Sequence, residues 1–115
     1  KFINLARNKK PLTIYNGGKQ KRDFINIQDV CRAIFLSINH KKNDIYNIGT
    51  GIPTSINHLA KIVKKNFINT KTKNNYSNKF DALYSCANTY KTSNQLKFKS
   101  KISLNDGIKK LILND

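Results

Sequence analysis

The sequence contains few of the residues that build metal sites and disulfide frameworks. Among its 115 residues are two Cys and two His, with no Met and no Trp. Cys31 and Cys86 belong to no CxxC pair, and neither His40 nor His58 lies at metal-ligand spacing from them. We therefore expect no metal site and no disulfide framework.

Long apolar runs are also missing. No run approaches the roughly 18 residues that cross a bilayer, and KFINLARNKK lacks the apolar segment of a signal peptide. A hydrophobic share of 38%, with six Phe and five Tyr, is typical of a folded chain, and 115 residues fit one domain. These features predict a single globular domain, no membrane partner and a cytoplasmic location.

Acidic residues are the scarcest charged class, because the chain has six Asp and no Glu against 22 Lys and Arg. The formal charge of +16 allows a basic nucleic-acid-binding domain as one interpretation. However, 19 of the 22 cations are Lys, and these residues are spread through every segment. A basic solvated surface is the favoured interpretation, and nucleic acid is an unfavoured partner.

Short strands are predicted where β-branched and aromatic residues are bounded by turn residues. They are LTIY, DFINI and DIYNIG, and the first two are separated by an Asn-Gly-Gly turn. Residues 69–79 are polar and predict a loop, or at most an edge strand. Because these strands alternate with helices, the sequence predicts the α/β class.

Helices are predicted from apolar spacing and from residues that cap helix starts. KFINLARN resembles the end of a helix, and a second helix is expected from Asp29, with its apolar stripe on Val30, Ala33, Ile34 and Ile38. The remaining predicted helices are capped by Ser55, Asn88 and Ser103. Gly107 lies inside the last helix, which implies a packing reason for its presence.

No catalytic set is recognisable among the residues of this chain. NIGTG lacks the third glycine of a dinucleotide fingerprint and the Gly-Lys-Ser/Thr of a P-loop, so a connection into the Ser55-capped helix is the favoured interpretation. Tyr15 and Lys19 have the spacing of a proton-transfer pair, but two glycines of a turn separate them. We therefore predict no catalytic residue and expect binding.

Two stretches carry a family resemblance. PLTIYNGGKQKRDFINIQDVCRAI and DIYNIGTGIPTSINHLAKIV together resemble the C-terminal part of the extended short-chain dehydrogenase/reductases, the NAD-dependent nucleotide-sugar epimerases and dehydratases. The first block of that family is matched in order by Tyr15, Gly18, Gln20, Arg22, Asp23, Phe24, Asp29 and Val30. The second is matched by Tyr46, Asn47, Gly49, Gly51, Ser55, Leu59 and Ala60. NKFDALYSCANTYKTSNQLKF aligns with a third block, so the resemblance covers nearly the whole chain.

The resemblance implies that the two parts of such an enzyme have different roles. In such Rossmann-type enzymes the larger N-terminal part binds NAD and carries the catalytic residues, while the C-terminal part binds a nucleotide-diphosphate sugar. Residues 1–115 are then one substrate-binding portion, a fragment without the N-terminal NAD-binding domain. A UDP-glucose 4-epimerase-like enzyme is one example. A homodimer of the complete enzyme is a further expectation.

A substrate-binding set is also implied, comprising Thr13, Tyr15, Gln20, Arg22, Asn78 and Asp81. By the resemblance, Thr13 and Tyr15 line the base, Arg22 meets the diphosphate and Asp81 lies near the ribose. Asp23 and Asp29 are interpreted as structural.

The third block departs from the family at two positions. Asn78 stands where the family has a second phosphate-binding Arg, and Phe80 stands where it has Gly. Lys79 lies next to Asn78, but its ammonium is a point charge and cannot replace the two parallel hydrogen bonds that an Arg guanidinium donates. A degenerate remnant or interaction module without ligand binding therefore stays open beside the substrate-binding portion and the nucleic-acid-binding domain.

Overall fold

Short strands alternate with helices along the chain, as the α/β prediction requires. The computed structural model describes residues 1–41, 43–77 and 81–113. Its elements are α1 (Phe2–Arg7), β1 (Leu12–Tyr15), a 3-10 turn (Asn16–Gly18), β2 (Lys21–Asp23), α2 (Ile27–Ile38), β3 (Pro53–Ser55), α3 (Ile56–Asn66), β4 (Thr72–Asn75), α4 (Tyr90–Gln95) and α5 (Leu104–Leu113). The predicted fold class is confirmed.

The strands in the described ranges form two separate pairs. β1 lies parallel to β4, and the register runs from Leu12 opposite Thr72 to Tyr15 opposite Asn75. β2 is antiparallel to β3, with Arg22 opposite Thr54. All four residues of β4 are exposed. The edge strand allowed for residues 69–79 is therefore confirmed for the part that the structure describes.

Two apolar clusters hold these elements together. The first lies where α1, β1, α3 and α5 meet, and its buried members are Ala6, Leu12, Ile14, Ala60, Ile62, Val63 and Ile108. The second joins α2 to the end of α4 through Ala33, Leu96 and Phe98. The first cluster underlies the face of β1 that carries the candidate site described below.

Ser55 and Ser103 accept hydrogen bonds at helix starts as predicted, whereas the N-cap of α4 is Thr89 and Asn88 lies one residue before it. Ser55 Oγ accepts a hydrogen bond from the His58 N–H at 3.1 Å, and Ser103 Oγ accepts one from the Asp106 N–H at the same distance. At the start of α4, Asn88 Oδ1 accepts a backbone N–H at 3.1 Å. Each oxygen satisfies one of the donors that a helix start leaves unpaired.

Two of the three predicted strands are wrong. DFINI is not a strand, because the residues that pair with β3 are Lys21–Asp23 and the chain then leaves the sheet. DIYNIG is not a strand either, since within the described ranges no strand lies beside residues 44–49. In place of a strand partner, the Asn47 carbonyl accepts a bond from Thr92 Oγ1 at 2.7 Å. Alternating apolar residues were not sufficient without a pairing strand.

The second helix begins earlier than predicted. Asn26, and not Asp29, caps α2 by accepting the Gln28 N–H at 2.9 Å. The Asn26 side chain also explains Gly107, because a Cβ on Gly107 would lie 3.1 Å from Asn26 Nδ2. The close approach of α5 to the start of α2 is the packing reason that the glycine implied.

The predicted apolar stripe of α2 is only half right. Ala33 is buried and Val30 is half-buried, but Ile34 and Ile38 are exposed. They share the exposed face with Phe35, of which 67% is exposed. α2 is apolar on two sides, and the second core lies against only one of them.

Asp29 is buried at a junction between α2 and the segment before α5. Only 2% of the residue is exposed, and its Oδ1 pairs with Arg32 at 2.8 Å. Its Oδ2 accepts the backbone N–H groups of Lys101 and Ile102 at 3.0 and 2.9 Å. Asp29 therefore does not cap the first turn of α2, as its position in the sequence suggested, but holds a distant segment. These contacts agree with its structural interpretation.

We predict that Asp29→Ala lowers the free energy of unfolding by about 3 kcal/mol, because it leaves two part-buried N–H groups and Arg32 without their acceptor. Urea unfolding followed by circular dichroism measures the change. The control is Asp44→Ala, which removes an exposed carboxylate paired with Lys91 and should change stability little. Equal effects of the two variants would contradict the role given to Asp29.

Candidate functional site

A Gly-Gly turn connects β1 to β2 and fixes how both strands face the candidate site. Gly17 and Gly18 have φ angles of 74° and 64°, a region that other residues rarely adopt. A Cβ on Gly18 would lie 2.4 Å from Asn57 Oδ1 and 2.6 Å from Ile14 Cγ2. Asn57 Nδ2 also donates to the Gly17 carbonyl at 2.7 Å. The turn is thus packed tightly against the start of α3.

A cavity of about 890 Å³ opens beside this turn. Five of the six predicted substrate-binding residues line it, namely Thr13, Tyr15, Gln20, Arg22 and Asp81. The sixth, Asn78, lies outside the described residues. Apolar side chains from α1, α3 and α5 form much of the remaining wall. The structure therefore gathers residues up to 68 positions apart around one space, polar on the side of the turn.

Arg22 and Asp81 form an ion pair in this cavity. Arg22 NH2 donates to Asp81 Oδ1, and Arg22 NH1 donates to the Lys21 carbonyl at 2.7 Å. Asp81 Oδ2 accepts a bond from Gln20 Nε2 at 3.4 Å. Both partners of the ion pair are accessible, with side-chain exposures of 26% and 46%. The guanidinium is therefore oriented by its neighbours and still reachable from the cavity.

Asp23 lies next to Arg22 in β2 but faces another part of the chain. Its carboxylate accepts bonds from the Thr50 N–H at 2.9 Å, from the Gly51 N–H at 2.9 Å and from the Ala87 N–H at 3.3 Å. Burial raises the pKa of Asp23, but these hydrogen bonds and one from the Thr50 hydroxyl outweigh it and hold the pKa below its ordinary value of 3.8. Asp23 thus has a structural role.

The same contacts bear on the NIGTG segment. Its Thr50 and Gly51 N–H groups, which a phosphate would need, already donate to Asp23. Gly49 is equally enclosed, because a Cβ there would lie 2.5 Å from Asp23 Oδ2 and from the Ala87 side chain. These contacts favour the interpretation of NIGTG as a connection toward α3.

Two residues that shape the site, Asn16 and Asn57, were not predicted from the sequence. Asn16 exchanges two hydrogen bonds with the Ser77 backbone, with Oδ1 accepting at 3.0 Å and Nδ2 donating at 3.4 Å. Asn57 fixes the turn from α3. Both are Asn in a chain that contains 17 of them. No spacing rule distinguishes these two from the others.

The cysteines and histidines form no metal site in the part of the chain that the structure describes. No group of three or more His, Cys, Asp or Glu side chains is close enough there to hold a metal ion. Cys31 is exposed and Cys86 is half-buried, and both are free thiols. Burial raises the pKa of the Cys86 thiol, and the neighbouring Asp23 raises it further. None of the helices in these ranges has the length and apolar character that a membrane crossing requires.

Comparison with known proteins shows that this chain is similar to one group of enzymes. Residues 1–49 match the NAD dependent epimerase/dehydratase family. The chain is 32% identical over 115 residues to the UDP-glucuronate 4-epimerase of Thermodesulfobacterium geofontis, covering 97% of this chain and 35% of that protein. The fold superposes on UDP-glucose 4-epimerase with UDP-glucose from Thermotoga maritima with a TM-score of 0.89 and 27% identity, covering 97% of this chain and 37% of that one.

A second similar structure contains NAD. The UDP-glucuronic acid 4-epimerase from Bacillus cereus, in complex with UDP-glucuronic acid and NAD, superposes with a TM-score of 0.85 and 29% identity, over 94% of this chain and 36% of that one. The fold of this chain is similar to about a third of the fold of these Rossmann-type epimerases, which are extended short-chain dehydrogenase/reductases. The chain is similar to the NAD-dependent epimerases and dehydratases, and it spans about a third of the length of the curated relatives it matches.

The turn beside the cavity can be tested with a matched pair of glycines. Gly17→Ala meets no atom within 4 Å and should cost about 1 kcal/mol through its φ angle alone. Gly18→Ala adds the overlap with Asn57 and Ile14 and should cost about 3 kcal/mol. Urea unfolding of both variants measures the difference. Equal costs would mean that the turn is not packed against α3.

Acid unfolding tests the role of Asp23. A carboxyl whose folded pKa lies below its unfolded value stabilises the fold fully above the unfolded value, and that stability is lost as the pH falls through the folded value. We expect the free energy of unfolding to start falling near pH 4 and to continue falling below 3.8. The Asp23→Asn variant should lose less stability over the same interval. Equal slopes for wild type and variant would contradict this assignment.

Proposed function

We propose that this chain is the nucleotide-sugar-binding, C-terminal portion of an NAD-dependent epimerase/dehydratase of the UDP-glucose 4-epimerase type. The observation that carries the proposal is the cavity, where Thr13, Tyr15, Gln20, Arg22 and Asp81 converge. Relatives that match over nearly the whole chain act on UDP sugars, and one solved relative holds UDP-glucose. The ligand proposed here is therefore a nucleotide-diphosphate sugar.

The residues of the cavity fit the parts of such a ligand. A guanidinium can donate two parallel hydrogen bonds to a diphosphate, and Arg22 is the residue that supplies it. The Tyr15 ring and the Thr13 side chain lie on the half-buried face of β1, two positions apart, where a flat base can rest. The Asp81 carboxylate is an acceptor for ribose hydroxyl groups. The apolar wall excludes water from these polar contacts.

NAD is proposed as the cofactor of the complete enzyme, bound mainly outside these residues. In the described ranges, the one glycine-containing segment that resembles a phosphate loop has its Thr50 and Gly51 N–H groups bonded to Asp23. It therefore offers no free cradle for a pyrophosphate. When bound, NAD supplies the hydride acceptor and donor. The 115 residues by themselves are proposed to bind substrate without turning it over.

The exposed face of α2 supports the proposal that more of the fold belongs with this portion. Ile27, Ile34, Phe35 and Ile38 all point outward, and between 54% and 75% of each residue is exposed. Four large apolar side chains on one helix face form the kind of surface that another layer of protein covers. We assign the NAD-binding portion of the enzyme as that layer. A homodimer of the complete enzyme and a cytoplasmic location stay predictions.

Titration calorimetry tests the proposed ligand directly. We expect UDP-glucose to bind the 115-residue chain saturably, and Arg22→Ala to weaken binding at least tenfold by removing two charge-assisted hydrogen bonds. Arg22→Lys keeps the charge but loses the fork, and it should bind with intermediate affinity. The matched control is Lys21→Ala, which removes a cation from an exposed neighbouring position that does not line the cavity.

Two results would contradict the proposal. If Lys21→Ala weakens binding as much as Arg22→Ala, binding reflects the overall charge of +16 and not the site. If duplex DNA binds with a steep salt dependence while UDP-glucose does not bind, the chain is a basic nucleic-acid-binding domain. Absence of binding to either ligand by a folded chain indicates a remnant or interaction module.

A further inference from the structure

Gln20 lines the cavity together with Tyr15, Arg22 and Asp81. Only 7% of the residue is exposed. Its Nε2 donates to the Tyr15 carbonyl at 3.2 Å and to Asp81 Oδ2 at 3.4 Å. Its own carbonyl accepts the Ile56 N–H at 3.1 Å, at the start of α3. One amide side chain and its backbone thus connect β1, the segment before α4 and α3.

The Asp81 carboxylate is held from two sides. Gln20 holds Oδ2, and Arg22 NH2 pairs with Oδ1. The other terminal nitrogen of Arg22 is held by the Lys21 carbonyl at 2.7 Å. The orientation of the guanidinium plane therefore depends on where the Asp81 carboxylate lies, and the position of that carboxylate depends on Gln20.

We propose that Gln20 is a positioning residue, which holds Asp81 so that Asp81 orients Arg22 toward the diphosphate, and that Gln20 itself does not touch the ligand. This inference rests on the proposed function and changes the role that the sequence resemblance gave to Gln20. The burial of Gln20 fits this role, since only 7% of the residue is exposed. Its amide nitrogen already donates to the Tyr15 carbonyl and to Asp81.

The proposed role of Gln20 depends on its side chain being neutral as well as on its length. An amide donates to Asp81 without adding charge, whereas a carboxylate at the same place would face another carboxylate. The charged side chains that line the cavity in the described ranges are Lys1, Arg22 and Asp81. Lys1 Nζ lies 5.4 Å from the centre of the Tyr15 ring, whereas Gln20 Nε2 is bonded directly to Asp81 Oδ2 at 3.4 Å. A Glu at position 20 would therefore have Asp81 as its nearest charged neighbour.

The first test uses Gln20→Glu and the pH dependence of UDP-glucose binding. Facing the Asp81 carboxylate, a Glu at position 20 ionises at a higher pH than an isolated Glu, and its ionisation adds a negative charge beside the diphosphate. The ratio of the variant Kd to the wild-type Kd should rise at least tenfold between pH 5.5 and 8. In an Asp81→Asn background the ratio should stay constant over this interval.

A second variant removes the donor without adding charge. Gln20→Met should weaken UDP-glucose binding about tenfold in the wild type and have no effect in the Asp81→Asn background. A constant ratio for Gln20→Glu overturns the inference. So does an effect of either variant that persists without Asp81, because Gln20 would then act through Tyr15 or on the ligand directly.

A measurement without ligand separates this inference from the proposed function. In NMR relaxation experiments, Gln20→Met should lower the order parameter of the Arg22 side-chain N–H groups to below about 0.6. Arg7 is the internal control, because its NH2 donates to the carbonyls of Leu111 and Ile112 at 3.3 and 2.9 Å. An unchanged Arg22 signal overturns the positioning role. Failure of the wild-type chain to bind UDP-glucose, with Arg22 loosened as expected, overturns the proposed function alone.

Discussion

The carboxylate of Asp23 is the contact on which the arrangement of the site depends. It joins β2 to the segment before β3 and to the segment before α4, because it accepts N–H groups from Thr50, Gly51 and Ala87. Arg22 is the preceding residue, and alternation along the strand directs it to the opposite face, toward the cavity. One side of β2 therefore anchors the chain while the other presents the cation.

Local patterns predicted the helices better than the strands. α3 and α5 were predictable because a helix satisfies its own backbone, so an apolar stripe and a capping Ser are sufficient. DFINI and DIYNIG both carry β-branched and aromatic residues, yet neither is a strand. A strand needs a partner, and the partner of β2 is a three-residue segment beginning at Pro53 that no alternation marks. The apolar stripe of α2 was misread because its two apolar sides look alike in sequence.

The residues of the candidate site could be predicted from the sequence, but the hydrogen bonds that connect them could not. Family resemblance named Thr13, Tyr15, Gln20, Arg22 and Asp81, and the structure brings these five together. The bond between Gln20 and Asp81 spans 61 positions, and no periodicity predicts a contact over that distance. The same holds for Asn57, which reaches back 40 positions to the Gly-Gly turn. Side-chain amides connect distant segments here, and amides carry no charge pattern that could reveal them.

The outward apolar face of α2 has a consequence for how salt acts on this chain. Copies with a charge of +16 repel one another at low ionic strength, and this repulsion keeps their Ile34, Phe35 and Ile38 side chains apart. At 0.1 M salt the repulsion is screened beyond about 10 Å, while apolar contacts are not weakened. Added salt therefore favours association of the chain, although it would weaken any binding to polyanions. The same ions therefore promote contact between copies of the chain and weaken its attraction to negatively charged ligands.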